Sequence, residues 1–295
     1  MTLRHLVVFV CVCDTGSMTA AAERLYMSQP SVSQAVSELE RYYNIRLFER
    51  LGRKLYITEA GKRMLTYAHH IIHLYREAEN EMKEVGNNGT IRVGASVTVG
   101  TCILSEIIKK FLGQHSGVKI IPTVDNTKVI EQMLLLDQAD LGLVEGTVHS
   151  KDLVAEPFME DELVLICSTD HEWAKRDWVE MHELAGQEFF VREEGSGTRE
   201  LFESVMVSNN INWSISGVYN NSETIKNSVA AGLGISVISR MSVKNELRSE
   251  KLSLVKINGL RFGRHFSIVY HKNKFITPVM QYLIELCQGI GAAGN

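Results

Sequence analysis

The sequence lacks the features that would place it in a membrane, in a secretory route or among common enzyme families. No apolar run reaches the ~18 residues that a membrane-spanning helix needs. The short apolar run at the N-terminus is followed by Asp14 and by no small-residue cleavage site, so we expect no secretory signal. No G-x-S-x-G or P-loop motif occurs, and we expect a protein that is not an enzyme.

Cysteine is also scarce, with five residues scattered along the chain. No C-x-x-C pair supports a zinc site, and an odd number of cysteines supports no closed disulfide framework. We therefore expect reduced, mostly buried thiols in a cytoplasmic protein. We expect no metal site and no cofactor.

The chain has 295 residues, of which 45% are hydrophobic and 22% charged, which suits two or three compact units. The net charge of −4 is unevenly distributed. Residues 1–63 carry nine Lys or Arg against six Asp or Glu, whereas residues 87–295 carry twenty against twenty-five. Residues 41–63 alone contain seven basic and two acidic side chains. A basic block on an acidic chain predicts a polyanion-binding N-terminal module.

Two short helices joined by a tight turn are predicted in the first forty residues. Ser17 is the expected N-cap of one helix, and Ser28 that of the next, which has Pro30 in its first turn. The apolar residues that face inward on the second helix are Val32, Val36 and Leu39. Small polar groups remain outside, which is typical of a helix-turn-helix whose second helix reads DNA bases.

A basic β-hairpin is predicted directly after these helices, from LFER through a Gly52 turn to KLYIT. Such a wing would contact phosphates, while the amides of the second helix suit adenine. A small helical core with a merely polar surface is the alternative, and the basic hairpin favours the winged helix-turn-helix. The candidate DNA-binding residues are Ser28, Gln29, Pro30, Ser31, Ser33, Gln34, Arg50, Arg53 and Lys54.

A long helix without proline is predicted from Glu59 to Gly86. Its apolar residues recur at alternating spacings of four and three, which predicts a coiled-coil seam and hence a dimer. Packing of this stripe on the C-terminal domain of the same chain is the alternative. The seam residues are Met64, Ala68, Ile71, Tyr75, Ala78, Met82 and Val85. Residues 87–90 are expected to form a hinge.

Strand and helix signals alternate after the hinge, including a helix from Thr101 to Leu112. This alternation predicts an α/β unit with a mainly parallel sheet. One series of elements ends near residue 164, a second covers 165–267, and residues 268–295 return to the first. Ligands of such sheets bind at the carboxyl ends of strands, against helix N-termini.

The segment GSGT at 195–198 is the sharpest candidate site, because its glycines expose N–H groups and a helix dipole favours an anion. N-capping is the alternative role for its hydroxyls. We expect a small oxyanion between two lobes. An acid such as Glu145 beside it would make affinity rise at lower pH, although a solvated Glu145 is equally compatible with the sequence. The candidate effector-binding residues are Ser96, Thr98, Thr127, Glu145, Ser196, Gly197, Thr198 and Arg199.

The N-terminal part of the chain is similar to the signature of the LysR-type transcriptional regulators in three successive segments: SMTAAAERLYMSQPSVSQAVSELE, LFER and ITEAG. The C-terminal part resembles the effector domain of these regulators in two segments: DNTKVIEQMLLLDQADLGLVEG and SETIKNSVAAGLGISVISR. The resemblance implies an α/β protein with an all-α-plus-wing N-terminal domain: a winged helix-turn-helix at 1–58, a linker helix at 59–86 and a two-lobed, periplasmic-binding-protein-like effector domain at 91–295. Family members often carry Arg at position 34, and Gln there favours an adenine contact.

The same resemblance implies a homodimer or homotetramer that binds an inverted-repeat operator in double-stranded DNA, and RNA polymerase as a partner if the protein is an activator. It implies no membrane partner. The effector domain further resembles that of members sensing small sulfur oxyanions or phosphorylated metabolites. Gly197 stands where peroxide-sensing members carry their reactive thiol, so the resemblance implies a different signal here.

Overall fold

The structure is a computed structural model that describes residues 1–51, 54–83 and 89–293. The chain divides into two compact units. One consists of Met1–Asn87 with Leu135–Gln138, and the other of Asn88–Leu134 with Ala139–Asn295. Within the described ranges, no single helix is long and apolar enough to cross a membrane. The first two helices together pass that test by length and composition, but their axes are bent by 117°.

The N-terminal unit is a helical bundle with a two-stranded antiparallel hairpin. Its elements are α1 (Leu3–Thr15), α2 (Met18–Arg24), α3 (Gln29–Tyr43), β1 (Phe48–Leu51), β2 (Lys54–Ile57) and α4 (Glu59–Lys83). The Ser17 side chain accepts a hydrogen bond from the N–H of Ala20, and that of Ser28 from the N–H of Ser31. Both predicted N-caps are therefore confirmed.

The start of α4 is tied to the hairpin by two small residues. The Thr58 hydroxyl donates to the Arg46 carbonyl over 2.7 Å and accepts from the N–H of Gly61 over 2.9 Å. A Cβ at Gly61 would overlap the carbonyl oxygen of Leu47. The ITEAG segment thus starts a helix and lets it lie directly against the wing.

The apolar stripe of α4 differs from the predicted seam. Ala68 is fully buried in the core of the N-terminal unit and is not available to a partner, and half-buried Met64 packs against the same core. Ile72, which the seam omits, is buried beside them. The predicted position Val85 lies outside the described residues. Among the described side chains of α4, the large apolar ones that are exposed are Tyr67, Ile71, Leu74 and Tyr75.

The C-terminal unit alternates strands and helices around one mixed sheet. Its first elements are β3 (Thr90–Ser96), α5 (Val97–Cys102), α6 (Leu104–Gln114), β4 (Lys119–Asp125), α7 (Thr127–Leu135), β5 (Leu141–Glu145) and β6 (Leu153–Ser168). The others are β7 (Val179–Glu180), β8 (Glu188–Arg192), α8 (Gly197–Ser208), β9 (Ser214–Tyr219), α9 (Ser222–Ala230), β10 (Ile235–Ser239), α10 (Lys244–Arg248), β11 (Leu252–Val255), β12 (Ile257–Asn258), β13 (Phe262–His271) and α11 (Pro278–Ala293).

The strand order in the large sheet is β4-β3-β5-β13-β6-β10-β8-β9, and β11 pairs with β6. Strands β4, β3 and β5 are parallel, as are β10, β8 and β9. The central strands β13 and β6 are antiparallel to each other and to their neighbours. The predicted parallel pairing therefore holds on each side of the sheet but not at its centre.

The long central strands connect two hydrophobic cores, which define lobe I and lobe II. The core of lobe I contains Phe158 of β6 and Phe266 of β13, together with α6 and α11. That of lobe II contains Leu163 of β6 and Phe262 of β13, together with α8. Both strands therefore pass from one lobe to the other within a few residues, between Phe158 and Leu163 on β6 and between Phe262 and Phe266 on β13. We call this region the crossing between the lobes.

Candidate DNA-binding and effector sites

The N-terminal end of α3 presents most of the predicted base-reading residues. Gln29, Pro30 and Gln34 are exposed, and Ser33 is half-buried. The hydroxyls of Ser28 and Ser31 lie 2.8 Å apart and form the helix cap. The exposed amides and hydroxyls in the first turns of α3 are the kinds of side chain with which a helix in the major groove contacts base edges.

The wing follows α3 and is attached to it by Glu40. One carboxylate oxygen of Glu40 accepts from the N–H of Leu47 over 2.8 Å and from that of Phe48 over 3.2 Å. The predicted phosphate-contacting residues Arg50 and Lys54 lie on the paired strands β1 and β2, in register with Leu55 and Leu51 respectively. Arg53 lies outside the described residues.

The candidate effector site is a buried polar cluster at the carboxyl ends of β3 and β5, with Glu145 at its centre. Its carboxylate accepts hydrogen bonds from the hydroxyls of Ser96 and Thr98, the latter over 2.9 Å. The Thr127 hydroxyl donates to the backbone carbonyl of Glu145 over 3.0 Å. All four residues are at most 3% exposed, so the alternative of a solvated Glu145 is wrong.

These bonds correct the prediction that the hydroxyls of Ser96 and Thr98 bind an anion. Both hydroxyls donate their protons to the carboxylate of Glu145 and not to a ligand. Arg199 is not part of the cluster. Its guanidinium donates to Glu203 over 2.7 Å and to the Arg192 carbonyl over 3.4 Å, along its own helix and the neighbouring strand.

Arg264, which is not among the predicted effector-binding residues, supplies a buried positive charge. It lies on β13 at the crossing between the lobes, where its Nε donates to Asp161 over 2.7 Å and its Nη1 to the Thr198 hydroxyl over 3.0 Å. The Ser239 hydroxyl donates to the other oxygen of Asp161 over 2.8 Å. The alternation of β13 contained the signal, because Arg264 shares its inward face with Phe262, an apolar residue two positions away.

The buried polar atoms that have no hydrogen-bond partner among the described residues include the hydroxyl of Ser196 and the Nη2 of Arg264. Ser196 occupies the N-cap position of α8, but its side chain makes no capping bond. The N-capping alternative is therefore wrong for Ser196. An unsatisfied buried donor costs about 1–3 kcal/mol, and more when it is charged, so each of these atoms would gain from a polar partner.

The two lobes approach each other closely between Gly146 and Gly197, where a Cβ at Gly146 would lie 2.8 Å from the Cα of Gly197. A Cβ at Gly197 would overlap the carbonyl oxygen of Glu145 and lie 2.9 Å from its carbonyl carbon. Nearby, the N–H of Lys128 in lobe I donates to the Gly195 carbonyl in lobe II over 3.1 Å. These backbone contacts place the N-terminus of α8 directly against the Glu145 cluster.

A second contact between the lobes is made by His149. Its Nδ1 lies 3.4 Å from Glu131 on α7, and its Nε2 lies 2.9 Å from Glu200 on α8. The hydrogen bond to Glu131, and then that to Glu200, raises the pKa of His149 above its ordinary value although partial burial opposes the shift.

All five cysteine thiols are free, and three of them are buried. Burial raises the pKa of Cys167 to about 11 and that of Cys287 to about 12. The pKa of Cys102 is raised by burial first, and then by the negative charges of Asp161 and Glu145. A thiolate nucleophile is therefore disfavoured at each of these three positions.

Two protein-family models match the chain. The model described as "Bacterial regulatory helix-turn-helix protein, lysR family" matches residues 3–62, and the "LysR substrate binding domain" matches residues 85–290. An Escherichia coli K12 protein, "Uncharacterized HTH-type transcriptional regulator YeiE", is 33% identical over 287 residues, which are 97% of each chain.

Two solved structures share the fold at identities below 25%. The CcmR regulatory domain of Synechocystis PCC6803 in complex with 2-PG is 23% identical, with a TM-score of 0.65 over 69% of this chain and 97% of that one. Full-length CbnR complexed with its target DNA is 20% identical, with a TM-score of 0.64 over 98% of this chain and 99% of that one. Both domains of the present chain therefore have counterparts of known architecture.

Proposed function

The chain belongs to the LysR family of transcriptional regulators, and from that premise we propose that it binds an inverted-repeat operator as a homodimer or homotetramer under the control of a small anion held between its lobes. Membership makes it a DNA-binding regulator with an effector-binding domain and not an enzyme, as the sequence predicted. An activator of this kind would also contact RNA polymerase, and binding to chromosomal DNA would place it in the cytoplasm.

The effector proposal rests on the unpartnered donors of Ser196 and Arg264. The Thr198 hydroxyl accepts from Arg264, so its own proton remains for a third partner. The N-terminus of α8 adds backbone N–H groups and the positive end of the helix dipole. A desolvated anion would gain several charge-assisted hydrogen bonds from these groups, each of about 1.5–3 kcal/mol.

The chemistry of the donors favours a compact oxyanion, such as a sulfur oxyanion or the phosphate of a small metabolite. One guanidinium nitrogen, Nη2 of Arg264, and the two hydroxyls match the several acceptor oxygens that such groups carry. The Synechocystis domain that shares this fold was solved with 2-PG. We infer that the present site takes a ligand of similar size.

Glu145 adds a negative charge beside the proposed site. Its buried carboxylate accepts the protons of Ser96 and Thr98, and its backbone lies against Gly197 at the start of α8. A carboxylate beside a bound anion opposes its binding through like-charge repulsion. We therefore expect removal of this charge to strengthen anion binding.

Calorimetry tests this proposal with sulfite, sulfate and glycerol 3-phosphate as probes. Ser196→Ala is expected to weaken binding of the preferred probe about tenfold, because one hydrogen bond to a charged group is lost, and Glu145→Gln to strengthen it. Ser208→Ala, at the exposed far end of α8, is the matched control and should bind as the wild type does. Equal affinities in Ser196→Ala and the wild type, or binding of none of the probes below millimolar concentrations, would remove the site.

DNA binding is proposed to combine base contacts from α3 with phosphate contacts from the wing. We expect Arg53→Ala to weaken binding about equally for all DNA sequences and to reduce the salt dependence by about one unit, because one phosphate contact is lost. Gln34→Ala is expected to relax the preference at one base position. Titrations of operator and random DNA at several salt concentrations measure both effects. Identical behaviour of the two variants would contradict the division of roles.

Dimerisation is proposed to use the exposed stripe of α4. Tyr67, Ile71 and Tyr75 are each 43% exposed or more, and an apolar stripe of this kind is stabilised by a second helix. A two-fold dimer requires an operator with half-sites a helical turn or a multiple of it apart. The double variant Ile71→Glu/Tyr75→Glu should be monomeric in analytical ultracentrifugation and still bind effector. A dimer at low micromolar concentration would contradict the assignment.

A further inference from the structure

The side chain of Gln34 is held in place by a chain of hydrogen bonds that starts on another helix. Its Nε2 donates to Oε1 of Glu38, one turn further along α3, over 2.8 Å. The other oxygen of Glu38 lies 2.8 Å from Nε2 of His5 in the first turn of α1. The first and third helices are thereby connected through a group that also touches the candidate base-reading amide.

The direction of each hydrogen bond follows from the contacts of His5. The backbone N–H of Thr2 donates to Nδ1 of His5 over 3.1 Å, and the Thr2 hydroxyl lies 2.7 Å from the same atom. Nδ1 is therefore an acceptor, so the ring proton of His5 is on Nε2 and is donated to Glu38. The hydrogen bonds from His5, and then from Gln34, hold the pKa of Glu38 below its ordinary value, which keeps it an acceptor for both.

This arrangement allows only one orientation of the Gln34 amide. If the amide turned over, its Oε1 would face the carboxylate of Glu38, and two acceptors would meet. In the observed orientation Oε1 and the second N–H of Nε2 remain available on the exposed side of α3. An acceptor and a donor side by side are what the N6 and N7 edge of adenine requires.

We propose that Glu38, itself oriented by His5, is a positioning residue that sets the base preference of Gln34. The proposal rests on the proposed reading of DNA by α3 and adds that the preference depends on two residues that need not touch a base. A merely structural role is the competing explanation, since the link between His5 and Glu38 also joins α1 to α3. That role would alter thermal stability and affinity for every DNA sequence alike.

The experiment uses the full-length protein and a half-site library with every position randomised. Bound sequences are counted to obtain the base preference at each position. Gln34→Ala is expected to reduce the preference for adenine about tenfold at one position, within the range for a bidentate amide contact. Glu38→Ala is expected to reduce it about fivefold at the same position, and the double variant no further than Gln34→Ala alone.

Two further variants and a charge control keep the test independent of folding. Glu38→Gln retains an acceptor oxygen and should restore part of the preference, whereas His5→Ala should lower the preference at the same position by a smaller factor. Glu23→Ala removes an exposed carboxylate from α2 and is the control for charge alone. It should change the affinity for all sequences without changing the preference.

Two results would overturn the proposal in distinguishable ways. If Gln34→Ala flattens one position while Glu38→Ala, Glu38→Gln and His5→Ala leave it intact, the positioning role is wrong and the base contact stands. If Gln34→Ala itself leaves the profile unchanged, the proposed reading by Gln34 fails and the positioning role fails with it.

Discussion

The close approach of the lobes at Gly197 allows the cost of one methyl group to be worked out. In Gly197→Ala the new Cβ would overlap the carbonyl oxygen of Glu145 and lie 2.9 Å from its carbonyl carbon. Carbon atoms in contact normally lie about 3.5–4.0 Å apart, so the backbone must move by roughly 0.6–1 Å. The Glu145 carbonyl also accepts the hydroxyl of Thr127, and this movement would disturb that bond.

Overpacking of this kind destabilises by about 1–3 kcal/mol. In a domain of about 200 residues each kcal/mol lowers the melting temperature by about 2–4 °C, so we expect Gly197→Ala to lower the melting temperature of the C-terminal unit by roughly 2–12 °C. Circular dichroism and differential scanning calorimetry of the full-length protein measure this change.

The matched control is Gly113→Ala near the end of α6, where a Cβ has no atom within 4 Å. Alanine is favoured over glycine in helices by about 0.5–1 kcal/mol, so this variant should be unchanged or slightly more stable. A Gly197→Ala protein that melts at or above the wild-type temperature would refute the reasoning, because it would mean that the lobes separate at this point without cost.

Three further predictions concern single side chains. Burial opposes ionisation of Asp140, but the hydrogen bond from Arg92, and then the charge of Lys274, outweigh it and lower the pKa of Asp140 from 3.8 to about 2. Above pH 5 the carboxylate therefore contributes about 2 kcal/mol to the free energy of unfolding, and this contribution is lost as the pH falls through 3.8 toward 2. In Asp140→Asn, urea unfolding curves should no longer show this loss. An unchanged curve between pH 5 and 2 would contradict it. The pKa of His149 is raised, first by Glu131 and then by Glu200, so the stabilising contacts with these two carboxylates are complete below pH 6.5 and are lost as the pH rises through the raised value. His149→Gln should abolish that difference between pH 6 and 8 in thermal melts, and a retained difference would argue against the link. Ser17→Ala removes a helix N-cap and should destabilise the N-terminal unit by about 1 kcal/mol in urea titrations, whereas no change would mean that the cap is dispensable.

The winged helix-turn-helix was predictable from the sequence because its determinants are local. Ser17 and Ser28 cap helices through bonds to residues three positions away. The inward face of α3 follows from the spacing of its apolar residues. Such interactions are contained in one or two helical turns, so a short stretch of sequence specifies them.

The length of β6 was not predictable from the sequence. The strand begins at Leu153, whereas the apolar pattern that indicates a strand begins only near residue 165. Its first half contains Pro157 and several carboxylates, which do not favour a strand. Pairing with β13 over ten positions supplies the missing stabilisation, and Pro157 lies where the register shifts. Similarly, the helix predicted from Thr101 to Leu112 is broken at Ile103 into α5 and α6.

For the proposed effector site, the sequence by itself determined which strand ends and which helix N-terminus are the candidates, because that follows from the alternation of strands and helices. It did not determine which donors remain free. Arg264 reaches Thr198 across 66 residues of chain, and Ser96 turns its hydroxyl toward Glu145 across 49. Hydrogen bonds act only over about 3 Å, so these partners are decided by sheet register and by the crossing of β6 and β13 between the lobes. Neither is encoded in any local pattern.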